Sequence, residues 1–145
     1  MSTVKRLKLH TNYSFDFHLI GIISKSKEYT VSWAINQALG IVLRKEVDLE
    51  IEMKSSGVMR VSNYTYENEL LKFSLLSNTL ITGPMATQKL LVPSLGSFDY
   101  LLKIEELEEI SDLDVIFNQL RNTDKIDSLV KLDVNKIKEK ESFLF

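Results

Sequence analysis

Between Phe98 and Leu132 the apolar pattern changes period twice. Phe98, Tyr100, Leu102 and Ile104 fall on alternate positions, the spacing of one strand face. Ile110, Leu113, Ile116, Phe117 and Leu120 then recur at the three-and-four spacing of a helix stripe. Ser111 and Asp114 sit at its start like a capping box, with Asp where Glu is usual. Ile126, Val130 and Leu132 return to strand spacing. The pattern predicts a β-α-β unit of about 35 residues. If its strands are parallel in one sheet, the crossover is right-handed.

The remaining segments fit around that unit. Val4, Leu7 and Leu9, with basic residues between them, read as an edge strand. The segment 15–23 fits two templates equally. Phe15, Phe17, Leu19 and Ile23 alternate as in a strand, whereas Phe15, Leu19, Ile22 and Ile23 make a helical stripe. Lys27 to Leu39 reads as a helix on Val31, Ile35, Ala38 and Leu39, ended by Gly40. Val47–Met53 and Val58–Tyr66 alternate on either side of Lys54-Ser55-Ser56-Gly57, which predicts a hairpin. Leu70–Leu76 adds a strand and makes a meander plausible. Asn78 to Thr87, with Gly83-Pro84, reads as a loop, and a short strand Lys89–Val92 ends at Pro93. The fold class expected is α+β. It has a mostly antiparallel sheet of about five to six strands, two or three helices and the C-terminal β-α-β unit, in one domain over 1–145.

A chain of 145 residues buries roughly two-thirds of its unfolded surface and needs no disulfide or metal to fold. Cysteine is absent, which removes thiolate chemistry and Zn–Cys sites and fits a reducing compartment. The N-terminal stretch has no apolar core of signal-peptide length, and the apolar runs 19–23 and 39–43 are too short to span a bilayer. A cytoplasmic protein without a membrane partner is therefore expected. Eighteen basic against twenty acidic residues argue against a dedicated nucleic-acid binder. The basic cluster Lys5, Arg6 and Lys8 and the acidic run Glu105 to Asp114 read as solvated faces.

No pattern of catalytic residues emerges. The two histidines, His10 and His18, are too few for a metal centre, even with Asp16 on the strand face of His18. The five glycines form no phosphate-binding loop, and no nucleophile elbow is present. Carboxylates between Glu105 and Asp114 are explained by a helix N-terminus. No catalytic residue, metal or cofactor is expected. Tyr64, Tyr66 and Phe73, with Arg60 and Lys72 nearby, read as cross-strand packing before base stacking. Trp33 lies off the Val31/Ile35 stripe and is expected to be partly buried. Phe143-Leu144-Phe145 reads as a buried C-terminal end, with a docking tail as the sharper alternative.

The stretch Val92-Pro93-Ser94-Leu95-Gly96-Ser97-Phe98-Asp99-Tyr100 resembles the signature of the bacterial IPExxxVDY family. Pro93, Asp99 and Tyr100 fall on named positions, Val92 and Phe98 are mild changes, and Ser94 replaces the signature Glu. Further similarity runs through 15–22, 29–36, 101–104 and 141–145, so nearly the whole chain is covered. The family has no assigned activity, so the resemblance implies no mechanism. The motif also has a purely structural reading. Pro93 ends a strand, Asp99 bonds turn amides, and Tyr100 buries its ring and offers its hydroxyl.

The leading functional expectation is a non-catalytic interaction or adaptor module that binds a protein partner or forms a homo-oligomer. The alternative is a small-molecule-binding protein or small enzyme with its site at the 93–100 turn. A further alternative is an RNA-associated accessory protein. The residues singled out as binding candidates are Asp16, Trp33, Asn36, Pro93, Asp99 and Tyr100.

Overall fold

A computed structural model describes residues 17–53, 57–81, 89–106, 113–143 and 145. The strands are β1 (Phe17–Ile23), β2 (Arg44–Lys45), β3 (Leu49–Met53), β4 (Gly57–Val61), β5 (Asn63–Glu67), β6 (Leu71–Ser77), β7 (Tyr100–Glu106) and β8 (Ser128–Leu132). The helices are α1 (Glu28–Leu39) and α2 (Leu113–Leu120), with single 3-10 turns at Pro93–Leu95, Val134–Lys136 and Lys140–Phe143. The structure is α+β. Its main sheet has six strands in the order β2-β5-β6-β7-β1-β8, and β3 with β4 forms a separate two-stranded sheet. Every pairing is antiparallel.

The apolar runs explain which strands lie inside. Tyr100 to Ile104 are five consecutive buried residues, and β7 is flanked by β6 and β1. Leu19 to Ile22 are likewise buried, and β1 is flanked by β7 and β8. A strand covered on both faces loses strict alternation. This settles 17–23 as a strand and explains why its sequence also fits a helix.

The two faces carry different cores. On one face Ile20, Ile22, Phe73, Leu75, Tyr100, Leu102 and Ile104 meet Val31 and Ile35 of α1 and Leu120 of α2. On the other, Phe17, Leu19, Leu76 and Leu101 meet Val61, Leu91 and Val92, with Val134, Ile137 and Phe143 from the C-terminal segment. Gly21 belongs to this second face, where a Cβ would come within 2.7 Å of the Phe98 ring. The lack of a side chain there lets that ring approach the β1 backbone closely.

The structure bears out one expectation and corrects several others. The predicted β-α-β unit is present: β7 and β8 run parallel to each other in one sheet, with one strand between them. Both pair antiparallel with β1, which lies between them. Phe98 does not share the face of Tyr100, Leu102 and Ile104. It sits in a turn, bonded through its N–H to Leu95 O (3.0 Å), and packs into the opposite core. The run Val58–Tyr66 is two strands, because the chain leaves the hairpin sheet at Val61 and enters the main sheet at Asn63. Gly57, expected in the turn, opens β4 opposite Met53, and residues 54–56 lie outside the described residues. Lys89–Val92 is not a strand; Leu90 makes one isolated bridge to Thr79. Expectations for the Val4–Leu9 strand, His10, Phe15, Asp16, Gly83-Pro84, Ile110 and Ser111 also lie outside the described residues.

Candidate functional site

The turn at 91–99 is organised by a residue that carried no signal in the sequence. Asn78, fully buried just after β6, donates from its amide to Leu95 O and Phe98 O, each at 3.0 Å. Its Oδ1 accepts the Val92 N–H at 2.9 Å. Its own N–H donates to Asp99 O, and its carbonyl accepts from Leu91 N. Asn78 thus holds both ends of the 91–99 segment. Pro93 starts the 3-10 turn, where a missing N–H costs nothing, and is exposed. Ser94 donates from its N–H to Glu139 Oε2 at 3.0 Å and from its hydroxyl to the other oxygen of the same carboxylate.

Asp99 and Tyr100 both reach the loop between β1 and α1. Asp99 Oδ2 accepts the Ser24 N–H at 3.0 Å, and the Tyr100 hydroxyl donates to Ser26 O at 2.7 Å. Burial, then the negative charges of Glu28 and Asp99, pushes the Tyr100 phenol up to about 12. Ser24 extends the latch by donating to Lys125 O at 2.6 Å. Asn36 works in the same way at the other end of α1. It accepts the Leu43 N–H at 2.7 Å and so fixes the chain after Gly40. Gly40 itself has φ 69°, the left-handed conformation that closes helices. Asp99, Tyr100 and Asn36 therefore bond to backbone groups. The first two converge on one loop, Asn36 lies apart from them, and Asp16 is outside the described residues.

A second polar group gathers at the start of α1. The Ser62 hydroxyl donates to Glu28 Oε1 at 2.6 Å and accepts from Lys45 Nζ at 2.9 Å. Lys45 also reaches Asp48 Oδ1 at 2.9 Å and lies 5.8 Å from the Tyr64 ring centre. The remaining Glu28 oxygen, Oε2, is buried without a hydrogen-bond partner. Burial holds this carboxyl above its ordinary value of 4.5, against the lowering effect of Ser62 and Lys45. Between 4.5 and the raised value the folded state keeps a proton that the unfolded state has released, so stability falls as pH rises. Glu28→Gln is expected to remove that fall. Urea midpoints of both proteins between about pH 4 and about pH 7 check it; parallel profiles would refute it.

Lys103 lies at the centre of β7 with a side chain only 3% exposed. Its ammonium donates to Phe143 O at 2.6 Å and stands 4.8 Å and 4.1 Å from the ring centres of Phe17 and Phe145. Burial lowers its proton affinity, while Glu105 at 3.6 Å works the other way. The C-terminal segment is thereby held on the sheet: Phe143 is fully buried, and Phe145 is 45% exposed.

The outer face of α1 is of a different kind. Tyr29 is 62% exposed and Trp33 56% exposed, one turn apart, with exposed Gln37 a further turn along. The expected partial burial of Trp33 is not found. At about 100° per residue it stands about 200° from both Val31 and Ile35, opposite the buried stripe. The only charged residue in α1 is Glu28, whose carboxyl is turned to Ser62. The outer face therefore carries no formal charge.

Of the other expected features, Tyr64, Tyr66 and Phe73 pack on the helix-covered face, with the Tyr66 and Phe73 rings 6.3 Å apart. His18 bonds Glu106 at 2.8 Å. Among the described residues no group of three or more His, Cys, Asp or Glu gathers as metal ligands, and no helix is long and apolar enough to cross a membrane. A groove of about 250 Å³ beside the 93–95 turn is lined by Ser94, Leu95, Leu132, Asp133, Lys136, Ile137 and Lys138. No family model, curated protein or solved structure matches the chain.

Proposed function

We propose that the chain is a non-catalytic interaction module, acting in the cytoplasm, that docks a protein partner on the outer face of α1. The observation that carries this reading is the uncharged strip Tyr29–Trp33–Gln37. Large aromatics at these exposures, on a face without charge, have the composition of interface cores. The bonding of Asp99, Tyr100 and Asn36 to backbone supports it too, since those groups act as braces.

The test is capture from the native host by tagged wild type and by a Tyr29→Ala/Trp33→Ala double variant, with quantitative mass spectrometry. Loss of hot-spot aromatics is expected to weaken a specific partner about tenfold or more. Equal recovery of every captured protein by both baits would overturn the reading.

The family resemblance is retained as part of the proposal. Ser94 stands where the IPExxxVDY signature has Glu, and the Glu139 carboxylate is bonded to it from the C-terminal segment. A small-molecule site at the 93–100 turn is the second reading, supported by the groove beside Ser94 and Leu95. Its polar lining comes from Ser94, Asp133, Lys136 and Lys138, so those residues, more than Asp99 or Tyr100, would contact a ligand there.

A further inference from the structure

We propose that the partner on the α1 face is a second copy of this chain, packed with the two α1 helices antiparallel about a two-fold axis near Trp33. This rests on the reading of that face as an interaction surface and names its occupant.

Charge selects both the occupant and the orientation. A two-fold interface sets the strip against its own copy, residue i on residue j and j on i, so a charge at the axis would meet a like charge. Tyr29, Trp33 and Gln37 carry none. Exposed Lys25 and Lys27 lie just before the helix, at its positive end. Parallel helices would bring the two lysine pairs together. Antiparallel helices separate them and place each pair beside the other copy's C-terminal turn. That turn has no basic residue of its own to meet the negative end of the dipole. Trp33 then meets Trp33, and Tyr29 meets Gln37.

Area sets the strength. An aromatic side chain offers about 150–250 Å², so at these exposures the two rings leave roughly 200–300 Å² open per chain. A standard interface takes about 800 Å² from each partner. The strip falls well short of that, so the dimer is of the weak, reversible class.

The experiment is sedimentation of the full chain from about one micromolar to about one millimolar. Emission of Trp33 is read in parallel, as it is the only tryptophan. Mass is expected to rise toward the dimer as the emission shifts to the blue. Trp33→Ala, read by sedimentation alone, should raise the dissociation constant about tenfold or more. Because the chain has no cysteine, introduced thiols report geometry cleanly. Gln37→Cys chains mixed with Tyr29→Cys chains should form mixed disulfides, and Gln37→Cys alone should form few. A monomer at every concentration, or a dimer indifferent to Trp33→Ala, would overturn the second copy as occupant. Faster self-linking of Gln37→Cys would overturn the antiparallel arrangement. If the chain stays monomeric while capture of another protein still depends on Tyr29 and Trp33, only this inference falls. If neither depends on them, the docking reading falls too.

Discussion

Asn78→Ala is expected to lower the unfolding free energy by about 2–4 kcal/mol in urea denaturation. The substitution leaves the carbonyls of Leu95 and Phe98 and the N–H of Val92 without their side-chain partner. Each unmade bond to a buried group costs about 1–3 kcal/mol, and the upper end applies to Val92, which is fully buried. Leu95 and Phe98 are only half-buried residues, so a smaller cost is assigned to them. Asn78→Asp separates the donors from the acceptor. It keeps an oxygen for the Val92 N–H but points a carboxylate at two carbonyls. It should lose as much as Ala at neutral pH and regain part of the loss on acidification, when the carboxyl becomes a donor. A loss below about 0.5 kcal/mol for Ala would show that the turn does not depend on this side chain.

Lys103→Ala is expected to cost about 3 kcal/mol or more, and Lys103→Met less than about 1.5 kcal/mol. Both variants remove the bond to Phe143 O, so their difference isolates the packing of the side chain between Phe17 and Phe145. Met restores that volume and removes the burden of a charge out of water, so it should approach wild type. The charge also has a pH signature. The folded state holds the Lys103 proton less tightly than the unfolded chain, whose ordinary value is 10.5. The stabilisation linked to this shift is complete above 10.5 and is lost as pH falls through the folded value. Wild type should gain on Lys103→Met as the solution is made alkaline. Equal losses for Ala and Met would assign the whole effect to the hydrogen bond.

The sequence was most legible where one side of an element faces solvent. Val31, Ile35 and Gly40 defined α1, and Leu113, Ile116, Phe117 and Leu120 defined α2, because each helix buries a single stripe. Legibility failed where burial is two-sided or where a polar group decides the path. β1 is covered on both faces, so its apolar run matches two periods. The break at Ser62 is invisible in the alternation of 58–66, since both strands keep period two. It is made by the change of sheet, with Ser62 bonded to Glu28 and Asn63 Nδ2 to Val47 O. Asn78 looked like the first residue of a loop; only its distant partners at 92, 95 and 98 reveal its role. Within 92–100, the Tyr100 ring and hydroxyl were readable, whereas Asp99 bonds the distant Ser24 and not its own turn, and the Ser94–Glu139 contact joins residues with no common pattern. Trp33 was placed at the right angle from the core stripe, yet nothing in the sequence said that this angle leaves it in solvent.

The position of β1 between β7 and β8 has a consequence for the order in which the structure can be acquired. The hairpin β3–β4 and the pair β5–β6 join residues close in sequence and can form as soon as they leave the ribosome. β1 is the first described strand to be synthesised, yet its neighbours on both sides are the last two. Through most of translation Phe17–Ile23 therefore waits with both edges bare, and His18 is its only polar side chain. Non-local closure of this kind is slow. Aggregation of nascent or refolding chains should accordingly begin at β1, and the arrival of β8 should end the danger.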